Sequence, residues 1–98
     1  MAINQPVALM MVKTRLNRLP SDTTLDEYLL NRIDAAEQEI NKMQPVPLDD
    51  STGDLLLCVD YAVWAYQCRD QAAGMPDWLR YRLRCRFLER KGADADDP

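Results

Sequence analysis

Over positions 6–19 the apolar residues Leu9, Val12, Leu16 and Leu19 return at three- and four-residue steps, with Lys13, Arg15 and Arg18 elsewhere on the wheel. That spacing predicts a first helix, which Pro20 is expected to end. Ser21, Asp22, Thr23 and Thr24 then offer side-chain oxygens to cap a new amino terminus, and Asp26 and Glu27 fall in the first turn, where the helix dipole favours acids. The second helix is predicted to reach about Met43. Its buried stripe is Leu25, Leu29, Ile33, Ala36 and Ile40, and Glu27, Asn31, Asp34 and Gln38 face water.

Residues 44–50 read QPVPLDD. Each proline disfavours helix at the residue before it and removes a donor, so this stretch is an extended linker. Ser51, three residues before Asp54, is a relative of the capping box and opens a third helix over about 53–73. Leu55, Val59, Ala62, Val63 and Tyr66 make one apolar face of it, and Leu57, Tyr61, Trp64 and Cys68 make another. Only Asp60, Gln67 and Asp70 form a narrow polar strip, so this helix is expected at the centre of the fold. Gly74 suits a left-handed cap and Pro76 the first turn of a fourth helix over about 76–91. The small acidic stretch 92–98 carries nothing apolar larger than alanine and is expected to stay disordered until a partner holds it. The expectation is an all-α bundle of about four helices, one domain over 1–91 with a flexible acidic tail over 92–98.

A chain of 98 residues has room for one domain and buries a modest share of its surface, which favours oligomerisation. The net charge of -4 gives no overall basic field toward nucleic acid or an anionic membrane. The charge is nevertheless uneven, with Arg80, Arg82, Arg84, Arg86, Arg90 and Lys91 in one segment and Asp94, Asp96 and Asp97 just after it. On that fourth helix Leu79, Leu83 and Phe87 fall on one side, and Trp78, Tyr81, Cys85 and Leu88 on another, with arginines on the ridges between. A helix at the edge of a monomer needs one apolar stripe; two imply that one packs inside and the other meets a second chain. Trp78, Arg80, Tyr81, Arg82, Arg84, Arg86 and Arg90 are therefore the candidate interface. A solvated arginine face and a nucleic-acid recognition helix are the competing readings.

Chemistry leaves few traces. Histidine is absent, and Cys58, Cys68 and Cys85 show no C-x-x-C spacing, so no zinc site is expected and the thiols are read as buried and reduced. The adjacent carboxylates Asp49 and Asp50, and Asp26 and Glu27, suit caps better than acid-base work, and no glycine-rich phosphate loop exists. The chain is not expected to be an enzyme or to hold a metal or cofactor. Asp60, an acid in a largely buried helix, needs Arg69 or an arginine of the fourth helix as partner, or else reaches water along the polar strip. Residues 1–19 lack the features of a secretory signal, and the apolar run 55–66 is interrupted by Asp60 and too short to span a bilayer, so a soluble protein in a reducing compartment is expected.

Two segments carry a resemblance. One is the capped acidic start Leu25, Asp26, Glu27, Tyr28, Leu29, Leu30 with Arg32, Ile33, Asp34, Ala35, Ala36, Glu37, ending near Ile40. The other follows a proline-containing connection: a very apolar helix from Leu55, Leu56, Leu57 to Trp64, Ala65, Tyr66, and then the fourth helix. Over residues 7–91 this order is similar to the small head-tail connector, or adaptor, proteins of tailed bacteriophages and prophages. The arginine density of the fourth helix departs from the commoner pattern. The resemblance implies a ring of identical subunits, typically a dodecamer, beneath the portal protein in the virion neck, made in the host bacterial cytoplasm. It implies a ring that extends the DNA channel without sequence-specific contact and docks a stopper or tail-completion protein. Such proteins often reach the portal with a chain end, which makes Gly92, Asp94, Asp96 and Asp97 a candidate docking tail. The alternatives are a small DNA-binding regulator that uses the arginine helix, and a helical accessory subunit of another complex.

Overall fold

In the computed structural model, which describes residues 2–69 and 74–95, every residue from 57 to 63 of the third helix is buried, so no side of this stretch faces water. The elements are α1 (Gln5–Arg15), α2 (Asp26–Met43), α3 (Thr52–Gln67) and α4 (Asp77–Ala95), with no strand among the described residues. The first three pack on one another, and α4 lies against α3. The core is Ala8 and Val12 of α1, Leu29, Ile33, Ala36 and Ile40 of α2, Leu57, Cys58, Val59, Tyr61, Ala62 and Val63 of α3, and Leu79 and Leu83 of α4. Ile3 before α1 and Leu48 of the linker are buried with them.

The expected α2 stripe is buried as read, apart from Leu25, which is half-buried at the helix start. Glu37 joins it, 3% exposed, at a position flanking the stripe that its acidic side chain had left out of the reading. The backbone amide of Ala2 donates to Glu37 Oε2 at 3.2 Å. The expected side-chain cap of α2 does not form: Asp22 instead accepts from the Thr24 amide at 3.1 Å, closing a turn one step early.

Helix α1 stops before Pro20 can act. Asn17 sits in the left-handed region at φ 60, and the Arg18 amide reaches Lys13 O at 2.8 Å while the Asn17 amide reaches Thr14 O at 3.1 Å. This paired closure satisfies the last carbonyls of the helix, and asparagine is the usual non-glycine residue to occupy its left-handed position. Leu19, expected in the apolar stripe, therefore lies in the loop at 69% exposure. Lys13, expected outward, is buried, its ammonium donating to Pro20 O at 3.0 Å and pairing with Asp26 at 2.9 Å.

At the other end, Ser51 caps α3 as expected, accepting from the Asp54 amide at 3.3 Å. The Asp54 carboxylate reaches back to the Asp49 amide at 2.8 Å, and the Asn41 side chain accepts from the Leu48 amide at 2.8 Å, so the extended linker is held at both ends. Helix α3 closes at Gln67, short of the expected end; Asp70 and Ala73 lie outside the described residues. Gly74 has no positive φ, so the left-handed cap expected there is absent. Pro76 accepts from the Arg80 amide at 3.0 Å and so starts α4 from just outside it. The α4 backbone runs on to Ala95, past the expected end at Lys91. A single helical glycine costs about 1 kcal/mol relative to alanine, and Gly92 is followed by no proline until Pro98.

Candidate interaction site on the fourth helix

The five arginines of α4 divide by register. Arg82, Arg86 and Arg90, at four-residue steps, turn toward α3 and the linker; Arg80 and Arg84, also four apart, turn outward.

Arg86 is 8% exposed, and all five of its N–H donors are used. Nε and Nη2 each donate to one oxygen of Asp54 at 2.9 Å. Nη2 also donates to Pro47 O at 3.1 Å, and Nη1 to Val46 O at 2.8 Å and Gln44 Oε1 at 3.2 Å. Gln44 returns a bond from Nε2 to Leu83 O at 3.1 Å. A linker with two prolines leaves carbonyls without local donors, and a planar fork is the side chain that can answer several of them together with a carboxylate. Arg86, expected at a contact between chains, is thus corrected to an internal clamp.

Arg82 pairs with Oδ2 of Asp60, and Arg15 of α1 pairs with Oδ1. Asp60 is 7% exposed, so of the two readings the arginine of the fourth helix holds; Arg69 instead stacks over Tyr66, 4.1 Å from the ring centroid. Arg90 lies 3.5 Å from Asp49 and 4.0 Å from Asp54. Both Arg82 and Arg90 are only half-buried, and both take part in seating α4.

The outward side of α4 carries Trp78 at 52%, Tyr81 at 68% and Leu88 at 55% exposure, together with exposed Cys85. Burial of one stripe, Leu79 and Leu83 with Phe87 beside them, leaves this second stripe open in the single chain. Arg80 donates to Met75 O at 3.1 Å and lies 3.6 Å from Asp77, and Arg84 is exposed and has no ion pair among the described residues. Beside these two arginines an open groove of about 370 Å³ runs between α4 and the end of α2, floored by Met43, Met75, Leu83 and Phe87. Sequence reasoning did not find this groove, because its methionines come from the end of α2 and from the segment before α4. Gly92 and Asp94 of the candidate docking tail lie on the last part of the α4 backbone, and Asp96 and Asp97 lie outside the described residues.

No group of three histidine, cysteine or acidic side chains that could hold a metal ion occurs among the described residues. Burial, with the charges of Glu37 and Asp34, pushes the Cys58 thiol up to about 12, which makes it inert as a nucleophile at neutral pH. The expectation of three buried thiols holds for Cys58; Cys68 is half-buried and Cys85 exposed. No helix among the described residues is long and apolar enough to cross a membrane. Comparison with known proteins finds no matching family model, no matching curated protein and no matching solved structure.

Proposed function

We propose that this chain is a structural assembly subunit, a head-tail connector that forms a ring beneath a phage portal, extends the DNA channel and docks a stopper or tail protein. The observation that carries the reading is the outward stripe of Trp78, Tyr81 and Leu88 on a helix whose other side is clamped in place. Large aromatic side chains left open on a rigid element are the residues that most often anchor protein contacts. The sequence likeness to connectors supplies the kind of assembly, and the virion neck is its proposed location.

A DNA-binding regulator would draw on the same helix, but Arg82 and Arg86 are engaged by carboxylates inside the chain. Arg80, Arg84 and Lys91 are the outward cations that remain. Three phosphate contacts give a log-log salt slope of only about -3, which is the footprint of weak binding.

The deciding experiment is electron microscopy and sedimentation of the purified protein, with a duplex-DNA mobility shift at two salt concentrations beside it. Discrete large particles and no stable shift are the expected result. A strictly monomeric protein that shifts DNA at high salt overturns the connector reading.

A further inference from the structure

The groove beside Arg80 and Arg84 has an apolar floor, two outward cations and, among the described residues, no further side chain of its own chain lining it. Arg84 is the clearest sign of what is missing, since the inward arginines of the same helix are each met by a carboxylate. The occupant that this chemistry fits is an apolar knob with an acid close by.

The chain carries such a knob. Leu19 is the most exposed large hydrophobic residue among those described, at 69%, and it stands on a closed turn whose Asp22 amide donates to Leu19 O at 3.0 Å. Turning it outward is what the Asn17 closure of α1 does to a residue that would otherwise extend the apolar stripe. Glu27, exposed and without an ion pair among the described residues, lies at the start of α2 just beyond the same turn.

Knob and groove lie at opposite ends of α2, whose 18 residues span about 27 Å. One molecule cannot join them. A contact between the knob of one copy and the groove of the next uses two different patches, so it repeats head to tail and closes into a ring or runs into a filament. Charge favours a second copy as the occupant: six cations and two acids lie in residues 77–91, against six cations and fourteen acids elsewhere in the chain. Resting on the assembly reading above, we propose that the groove of Met43, Met75, Leu83 and Phe87 receives Leu19 of a second copy of this chain, with Arg84 meeting that copy's Glu27.

The test uses two variants of the full chain. Leu19→Asp removes the knob and keeps the groove; the pair Met43→Asp with Arg84→Glu removes the groove and keeps the knob. All three positions are exposed, so helix content should match the unaltered chain, and circular dichroism checks this. Sedimentation of the unaltered chain is expected to show oligomers, each variant alone only monomers, and an equal mixture a two-chain complex that grows no further. In a second arm, Glu27→Arg combined with Arg84→Glu in one chain restores oligomers that Arg84→Glu alone loses. If either variant assembles like the unaltered chain, or the mixture stays monomeric, this contact is wrong while the connector reading stands. If the unaltered chain is monomeric at every concentration, both fail together.

Discussion

Arg86 and Asp54 face each other through two parallel hydrogen bonds of 2.9 Å, with both residues almost closed to water. The pair joins α4 to the start of α3, while the remaining donors of Arg86 hold the linker, so one side chain sets the position of three segments. Buried ion pairs often add little net stability compared with an apolar replacement, but removing one member leaves the other uncompensated.

Arg86→Met is therefore expected to destabilise the fold by about 3 kcal/mol or more, because it strands the Asp54 carboxylate and three linker acceptors. Arg86→Lys should recover only part of this, since an ammonium has three donors where the guanidinium has five. Urea unfolding of both variants checks the order. A lysine variant as stable as the unaltered chain would show that charge alone matters at this position.

Asp60 makes a contrasting case. It too is buried between two arginines, but Arg15 and Arg82 are 42% and 38% exposed and can turn to water when it is lost. Asp60→Asn is expected to cost about 1 kcal/mol, close to the upper range for partly exposed pairs, and the loss should shrink in high salt. Urea midpoints at low and high ionic strength measure both effects. A salt-independent loss as large as that of Arg86→Met would place Asp60 in a different role.

How far this arrangement was legible in the sequence depends on the range of the interaction. Local period marked all four helices, the α2 stripe and the enclosed α3, because a side chain's face on a helix follows from its neighbours three and four residues away. The two stripes of α4 were equally plain. The division of its arginines was not, although Arg82, Arg86 and Arg90 repeat every four residues. Their partners Asp60, Asp54 and Asp49 lie 22 or more residues earlier in the chain, and only tertiary packing chooses between an acid in the protein and water. The end of α1 was missed for another reason: the left-handed conformation of Asn17 closes the helix before Pro20 is reached, so the stronger sequence breaker is not the one used. Glu37, four residues after Ile33 and three before Ile40, stands on the flank of the α2 stripe, but an acid there reads as solvated; the segment at Ala2 covers it.

The outward stripe of α4 predicts a separation of stability from assembly. Trp78→Ser with Tyr81→Ser removes two residues that are 52% and 68% exposed, so stability should change by no more than about 0.5 kcal/mol per site. Assembly should be weakened, because this stripe is a second open patch of α4, apart from the groove that receives Leu19, and large exposed aromatics strengthen protein contacts. Parallel urea unfolding and sedimentation test this. Intact particles from the double variant would leave the stripe without the role assigned to it.

Alkaline stability tests the core from inside. Burial raises the Cys58 thiol from 9.0 to about 12, and burial with a hydrogen bond to Glu39 raises the Tyr61 phenol from 10.0 to about 12. In both cases the folded chain keeps its proton over a range in which the unfolded chain has released it. The unfolded state then binds fewer protons, and stability falls as pH rises. The contribution of Cys58 is complete below pH 9 and lost progressively between 9 and about 12; that of Tyr61 is lost between 10 and about 12. The melting temperature should therefore drop increasingly steeply above pH 9, and Cys58→Ala, although less stable at neutral pH through the cavity it leaves, should show a shallower drop from pH 9 upward. Thiol labelling gives the independent check at neutral pH: Cys85 reacts first, Cys68 more slowly, and Cys58 only at the rate of unfolding. Because Cys85 lies beside Tyr81 on the open side of α4, its labelling should also slow as protein concentration rises and that side becomes covered. Fast labelling of Cys58 in the folded chain, or equal pH slopes for the two proteins, would mean that the centre of α3 is open to solvent.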